Sequence, residues 1–222
     1  MTMTSNNFVL YSYFRSSASY RVRIALNLKR INYEYRAVPL LNKGGAQHSE
    51  EYRKLNPSNQ VPTLIHGDHV IGQSMAIIDY LDQIKPEPLL FPKGAFQRAL
   101  VIQACEVINS GAQPLHNLRV LQELEKRFAA TEAQKNEWTA FWIATSLTAL
   151  ENLLSKHAGN FCFGQRVTAA DCFLIPHLAN ADRFQVPLDP YPKLTRIRAT
   201  CASINEFQKA SPLSQPDTPP SA

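Results

Sequence analysis

Apolar residues gather in a short run over residues 8–13 and then recur at helical spacing, with Tyr20, Ile24 and Leu28 on one row and Val22 and Leu26 on the next. The first run predicts a strand and the second a helix. Ser16 and Ser17 stand between them, where an N-cap belongs. Residues 33–38, aromatic and β-branched, predict a second strand. Strand, helix and strand in that order predict a parallel pair joined by a right-handed crossover. A polar, glycine-bearing loop over 42–47 follows, then a short helix over 49–55 that ends at Asn56-Pro57. Residues 60–65 predict a strand opened by Pro62, where a lost N–H is tolerated. His66-Gly67-Asp68-His69 reads as a turn and Val70-Ile71 as the return strand of an antiparallel hairpin. Gln73-Ser74 then opens a helix carrying Met75, Ile78, Leu81 and Asp82, with Ile77 on the side of Leu81 and Ser74 as its expected N-cap.

The connection Lys85-Pro86-Glu87-Pro88-Leu89-Leu90-Phe91-Pro92 is proline-rich and marks the expected domain boundary. Everything beyond it has a helical pattern. Residues 95–128 form one long stretch interrupted at Gly111-Ala112-Gln113-Pro114, where Pro114 should kink or break the helix. Residues 134–157 predict another helix, with Trp138, Phe141, Trp142, Leu147, Leu150 and Leu154 as its apolar side and Gly159 as a stop. Thr168-Ala169-Ala170-Asp171 has the form of a capping box with Asp in the third position, opening a helix that runs to about Phe184. Asp171 is then nearly buried, and its expected role is to fix the helix start rather than to catalyse. Residues 194–207 predict a last helix. The tail has four prolines and is expected to be extended or disordered. The expected organisation is a mixed domain over 7–86, a helical domain over 93–211 and a tail over 212–222.

Composition narrows the class. The chain has 222 residues, 45% of them hydrophobic, which suits one large or two small soluble domains. No apolar run reaches membrane-spanning length, and residues 1–7 are polar with no signal-peptide core, so no membrane association and a cytoplasmic location are expected. The four cysteines, Cys105, Cys162, Cys172 and Cys201, have no C-x-x-C spacing and do not cluster with histidine, so neither a metal site nor a disulfide framework is expected. The net charge of +5 is dispersed along the chain, which argues against nucleic acid and suits small anionic ligands.

The serine-rich turn carries the candidate chemistry. A helix start presents unpaired N–H groups and the positive end of the dipole, so hydroxyls placed there can help hold an anion such as a thiolate. Arg15, Arg21 and Arg23 add charge nearby. An ordinary capped helix with solvated arginines is the alternative reading of the same residues. A cis bond before Pro62 would leave the Val61 N–H and C=O free for an extended peptide. The β-α-β then β-β-α order is the thioredoxin-like, α+β arrangement. The C-x-x-C of its redox members is absent, and Ser16-Ser17-Ala18-Ser19 stands there instead. That favours holding the thiol of another molecule over disulfide exchange.

A small thioredoxin-like half followed by an all-α half is the layout of the glutathione transferase fold. The stretch Tyr11-Ser12-Tyr13-Phe14-Arg15-Ser16-Ser17-x-Ser19-x-Arg21-Val22-Arg23-Ile24-Ala25-Leu26 resembles the signature of the zeta class, the maleylacetoacetate isomerase family. So do Leu55-Asn56-Pro57, Gln60-Val61-Pro62-Thr63-Leu64, Gln73-Ser74-x-Ala76-Ile77-Ile78, Gln113-Pro114-Leu115-x-Asn117-Leu118, Arg183-Phe184 with Tyr191-Pro192, and Gln215-Pro216-Asp217-Thr218-Pro219. The zeta signature normally reads Ser-Ser-Cys, and Ala18 stands here in the third place.

The resemblance implies glutathione as cofactor, a small dicarboxylate such as maleylacetoacetate as substrate, and a homodimer. The implied reaction is cis–trans isomerisation: glutathione thiolate adds to the double bond, the bond rotates, and the thiol leaves. Because the reacting sulfur comes from glutathione, Ala18 does not imply an inactive protein. Ser17 is the implied closest hydroxyl to the thiol, with Ser16 in support and Arg15 beside them. Val61 is expected to pair with the cysteinyl part of glutathione. Gln73 and Ser74 are expected at its γ-glutamyl carboxylate, Gln47 with His48 at its glycyl end, and Gln113 and Asn117 at the cleft edge. Arg15, Arg119 and Arg183 are the expected substrate-binding arginines. Three rival expectations remain: a maleylpyruvate isomerase, a generalist transferase acting on haloacids, and a non-catalytic binding module, the last disfavoured because Ser16, Ser17 and Ser74 are present.

Overall fold

The computed structural model describes residues 7–41 and 44–220. Residues 1–6 of the polar N-terminal stretch, Asn42 and Lys43 of the expected 42–47 loop, and Ser221 and Ala222 of the tail lie outside the described residues. The chain divides into one compact unit running to Leu89 and resuming from Ile204, and a second running from Leu90 to Ser203.

The first unit contains β1 (Phe8–Ser12), α1 (Ser17–Leu28), β2 (Tyr33–Ala37), α2 (Glu50–Leu55), β3 (Thr63–His66), β4 (His69–Gly72) and α3 (Ser74–Ile84). The sheet order is β2-β1-β3-β4. The strands β1 and β2 pair in parallel, with Leu10 opposite Tyr35, and β3 pairs antiparallel with both β1 and β4. This is the thioredoxin-like β-α-β, β-β-α order. Leu10 and Leu64 in the central strands and Val22, Ile24 and Leu26 of α1 are fully buried, as are Ile77, Ile78 and Leu81 of α3. The amine of Lys29, just past α1, is also buried, and it donates to Asp82 Oδ1 and to the carbonyls of Lys85 and Pro88, each at 2.7 Å. These three hydrogen bonds from one cation tie α3 and the proline-rich connection to the end of α1.

Several expectations change here. Ser74 is the first residue of α3, and Gln73 is the N-cap, held at φ 67°. The Ser74 hydroxyl is buried and occupied by Arg21, so it does not cap. Arg21 and Arg23 are 1% and 0% exposed, so these arginines are not solvated. The expected helix over 194–207 is two helices, α8 (Pro192–Ala202) and α9 (Asn205–Ala210). The described part of the tail, expected to be extended or disordered, is folded back on itself. Residues Pro212–Ser214 make a turn of 3-10 helix, and the Gln215 amide donates to the carbonyls of Lys209 and Ser211 at 2.9 and 2.8 Å. The proline count hid these side-chain contacts.

The second unit is all-helical, with α4 (Ala95–Asn109), α5 (Leu118–Phe128), α6 (Glu132–Leu153), α7 (Ala169–Arg183) and α8. A 3-10 turn, Gln113–His116, separates α4 from α5 at Pro114. The helix α7 is the buried centre, with every residue from Ala169 to Leu178 out of solvent. Its capping box is formed: Asp171 accepts from the Thr168 N–H at 2.8 Å and hydroxyl at 3.0 Å, and from the Cys162 N–H at 2.8 Å. Burial raises the Asp171 carboxyl above its ordinary range, against the pull of those donors. The apolar side expected for α6 is partly wrong. Ile143, Leu147 and Leu150 are buried, but so are Lys135, Thr139 and Ser146, while Phe141 is 60% exposed. Among the described residues no helix is long and apolar enough to cross a membrane.

Candidate active site

The turn before α1 is built by its own backbone. Ser16 N–H closes it on Tyr13 O at 3.0 Å. Ser16 then caps the helix: its hydroxyl accepts from Ser19 N–H at 3.1 Å, and its carbonyl accepts from Tyr20 N–H at 2.9 Å. Of the N–H groups that open α1, those of Ser17 and Ala18 have no partner among the described residues, and neither does the half-buried Ser17 hydroxyl. Three donors therefore stand together at the positive end of a twelve-residue helix. Ser16 and Ser17, alike in sequence, differ in duty: the first holds the helix and the second is uncommitted.

Two residues that the sequence reading did not assign hold this turn from outside. The Arg23 guanidinium donates to Phe14 O at 3.0 Å, Tyr13 O at 3.3 Å, Ser12 Oγ at 3.2 Å and Ala210 O at 2.9 Å. Its burial lowers its pKa from the usual arginine value. Asp217, in the tail, accepts from Phe14 N–H at 3.0 Å and from the Tyr35 hydroxyl at 2.6 Å. Desolvation, together with that bond to Asp217, raises the Tyr35 phenol. Arg15 is exposed, with its guanidinium 5.5 Å from the Phe14 ring centre.

The Val61-Pro62 bond is cis, the arrangement on which the sequence reading made Val61 a peptide anchor. Neither the N–H nor the carbonyl of Val61 has a partner among the described residues. The flanks of this segment are pinned. The Tyr52 hydroxyl and Asn56 Nδ2 both donate to Gln60 O at 2.8 Å, and they meet Thr63 Oγ1 at 2.8 and 2.9 Å. Burial pushes the Tyr52 phenol up to about 12, so it stays a donor at any ordinary pH. Asn56 was legible as part of Leu55-Asn56-Pro57. Nothing in the local pattern marked Tyr52.

Gln73 and Ser74 lie at the start of α3. The positive φ of Gln73 is a conformation that non-glycine residues adopt at a cost of roughly 1–3 kcal/mol, and such positions concentrate at ligand-binding sites. The Gln73 amide is exposed and donates to Gln60 Oε1 at 3.4 Å. Ser74 Oγ accepts from Arg21 Nη1 at 3.2 Å, which joins the α3 start to the α1 start. In the loop before α2, Gln47 is 7% exposed, and its Oε1 is buried with no hydrogen-bond partner among the described residues. Gly45, at φ 93°, lets the backbone pass against that side chain, where a Cβ would collide with it. His48, its neighbour, is exposed.

Within the first unit, then, Ser16, Ser17, Ser74 and Gln73 gather at two helix starts that Arg21 joins, and Val61 lies on the pinned segment next to Gln60. The remaining candidates belong to the second unit. Gln113 opens the 3-10 turn, and Asn117 caps α5 by accepting from Arg119 N–H at 3.3 Å. The Arg119 side chain is exposed in the first turn of α5. Arg183 ends α7, exposed, with its guanidinium 5.0 Å from the Phe184 ring centre.

A thioredoxin-like sheet carrying a serine-headed helix, followed by an all-α unit, defines the glutathione transferase class. Comparison with known proteins agrees: residues 10–89 match the glutathione S-transferase N-terminal domain and residues 118–199 the C-terminal domain. The chain is 47% identical to the maleylacetoacetate isomerase of Dictyostelium discoideum, over 98% of this chain and 99% of that one. It superposes with a TM-score of 0.92 on the holo structure of a maleylpyruvate isomerase described as a bacterial zeta-class glutathione S-transferase, at 39% identity, covering 95% of this chain and 100% of that one. It superposes with a TM-score of 0.86 on the maleylacetoacetate isomerase of Anaeromyxobacter dehalogenans with glutathione bound in the active site, at 44% identity, covering 96% of this chain and 98% of that one. The chain belongs to the zeta-class glutathione transferase and maleylacetoacetate isomerase-like family.

Proposed function

We propose that the protein is a glutathione-dependent cis–trans isomerase that converts maleylacetoacetate to fumarylacetoacetate. The observation that carries the reading is the opening of α1, where Ser17 Oγ and the N–H groups of Ser17 and Ala18 are uncommitted while Ser16 alone caps the helix. The glutathione-bound structure of the 44% identical relative supports the same ligand for this chain.

The residues present fit that tripeptide. Val61 offers its peptide middle an N–H and a C=O that are unpaired among the described residues, and the buried Gln47 Oε1 suits the N–H of its glycyl residue. Gln73 and Ser74, at the start of α3, suit its γ-glutamyl carboxylate. When bound, glutathione supplies the thiolate for reversible addition to the double bond, and it is not consumed.

The chain's own work has two parts. Ser17 and the α1 N–H groups hold negative charge on a sulfur. A free thiol ionises near 8.5, and lowering that by two units takes roughly 2.7 kcal/mol. A hydroxyl bond to an ionised group together with a helix N-terminus is of that order. Arg15, Arg119 and Arg183 are assigned to the substrate's carboxylates and to the charge that develops on its oxygen. Gln113 and Asn117 are assigned to the edge of the glutathione site by family match.

A second reading, maleylpyruvate isomerase, is favoured by the TM-score of 0.92 to a protein of that description. A spectrophotometric assay with each substrate, with and without glutathione, tests both. The first reading expects turnover only with glutathione and a higher kcat/KM for maleylacetoacetate. A higher kcat/KM for maleylpyruvate selects the second reading, and glutathione-independent turnover or none overturns both.

A further inference from the structure

The C-terminal tail makes its most distant contact at the turn that precedes Ser16. Asp217 Oδ2 accepts the Phe14 N–H at 3.0 Å, across 203 residues of sequence. Its other oxygen takes the Tyr35 hydroxyl at 2.6 Å, and Tyr35 sits on β2 opposite Leu10 of β1. One carboxylate thus ties the turn to the sheet beneath it. Two carbonyls of the turn are taken as well. Tyr13 O receives the Ser16 N–H and Arg23, and Phe14 O receives Arg23. The Phe14 N–H is satisfied from outside the N-terminal region, by Asp217.

The tail is shaped to deliver that oxygen. Arg23 Nε donates to Ala210 O at 2.9 Å, the Gln215 amide folds back onto Lys209 O and Ser211 O, and the Thr218 hydroxyl donates to Pro212 O at 2.5 Å. Asp217 lies between the last two anchors, Gln215 and Thr218. We propose that Asp217 is a positioning residue for the thiol-holding turn: the C-terminal tail sets the direction in which Ser17 Oγ and the Ser17 and Ala18 N–H groups point. This rests on the reading of that turn as the site that holds glutathione's sulfur.

Two effects of removing Asp217 oppose each other, which makes the test sharp. Losing the bond to Phe14 loosens the donors and raises the pKa of a bound thiol. Losing a negative charge lowers it. Asp217→Asn keeps an acceptor oxygen and removes the charge, whereas Asp217→Ala removes both.

The test measures the pKa of the bound glutathione thiol by thiolate absorbance, kcat and KM for glutathione, and amide hydrogen exchange over residues 14–19. Asp217→Ala is expected to raise the bound-thiol pKa by about one unit, which is tenfold less thiolate below that pKa, to lower kcat about tenfold, and to leave KM within about threefold. Exchange at the turn should quicken, and Asp217→Asn should restore kcat to within about threefold of the parent. Equal behaviour of the Ala and Asn variants overturns the proposal in favour of a charge effect. Lowered thermal stability with bound-thiol pKa and kcat unchanged overturns it in favour of a purely structural tail. Should Asp217→Ala not fold, Tyr35→Phe takes its place: it removes the second tie on the carboxylate and is expected to raise the bound-thiol pKa, and an unchanged value overturns the proposal. A parent protein that does not bind glutathione overturns the functional reading and this inference together, whereas a parent that binds it beside unresponsive variants overturns this inference alone.

Discussion

Arg21 Nη1 donates to Ser74 Oγ at 3.2 Å, and both residues are buried. The bond spans the two helix starts of the first unit, one headed by Ser16 and the other by Gln73. A serine that simply capped α3 would leave the helix starts independent of each other. Here the orientation of one is set partly by the other. Ser74→Ala leaves a buried guanidinium without one of its acceptors, so a stability loss of about 1–3 kcal/mol is expected in urea unfolding. KM for glutathione should rise several-fold with kcat nearly constant. A fall in kcat at unchanged KM would assign Ser74 to the reacting end instead.

The difference between Ser16 and Ser17 makes them separable by mutation. Ser16→Ala removes the cap on Ser19 N–H and should cost about 1 kcal/mol of stability. Ser17→Ala removes a hydroxyl with no partner among the described residues, so stability should hold within about 0.5 kcal/mol. Its effect belongs in the chemistry: a bound-thiol pKa raised by one to two units, about 1.4–2.7 kcal/mol, and a pH–rate profile displaced toward alkaline pH. Thermal unfolding and the pH dependence of kcat check the pair. A profile that does not move on Ser17→Ala removes Ser17 from the reaction.

What could be read from the chain alone was what is local in sequence. The apolar run in residues 8–13, the serine pair ahead of a helical period, and the Thr168–Asp171 box each sit within a few residues of the element they define. The fold order followed from them. Ser74 was misread as a cap because its hydroxyl partner, Arg21, lies 53 positions away. The alternative reading of the serine turn, with solvated arginines, follows from charge alone, whereas Arg23 is satisfied by four acceptors on the turn, β1 and α9. The tail looked disordered because proline count hides a single carboxylate with two specific partners. In α6, Phe141 is exposed against expectation, and Lys135 is buried. The amine of Lys135 is neutralised by Glu125 and Glu132 at 2.5 Å each, which permits its burial. In each case the missing information was a long-range partner or a charge satisfied out of sight.

The cysteines give a third expectation. Cys105, Cys162, Cys172 and Cys201 are free and buried. Burial raises the Cys162 and Cys201 thiols above the ordinary value, and Asp171 nearby adds to that in both. A raised pKa means less thiolate at neutral pH, and the thiolate is the reactive form. Native protein should therefore resist iodoacetamide near neutral pH with activity intact, while the unfolded chain takes up four adducts by mass spectrometry. Ala18→Cys, at the opening of α1, should create one fast-reacting site whose alkylation blocks activity. Alkylation of the native parent with loss of activity would contradict the buried placement.

Arg183 tests the substrate assignment. Its side chain is exposed at the end of α7 and rests near the Phe184 ring, a contact worth about 0.5–1 kcal/mol at a surface. The side chain is exposed at a helix end, so Arg183→Ala is expected to cost no more than about 1 kcal/mol of stability. If the guanidinium receives a substrate carboxylate, its loss removes a charge-assisted pair of about 1.5–3 kcal/mol, which is a ten- to hundredfold rise in KM for a dicarboxylate. A neutral electrophile conjugated by the same site should be turned over as before, because nothing in it requires a cation. Arg119→Ala, in the exposed first turn of α5, is expected to give the same contrast. Equal losses for charged and neutral substrates would mean that these arginines support the helices that carry them and do not touch the ligand.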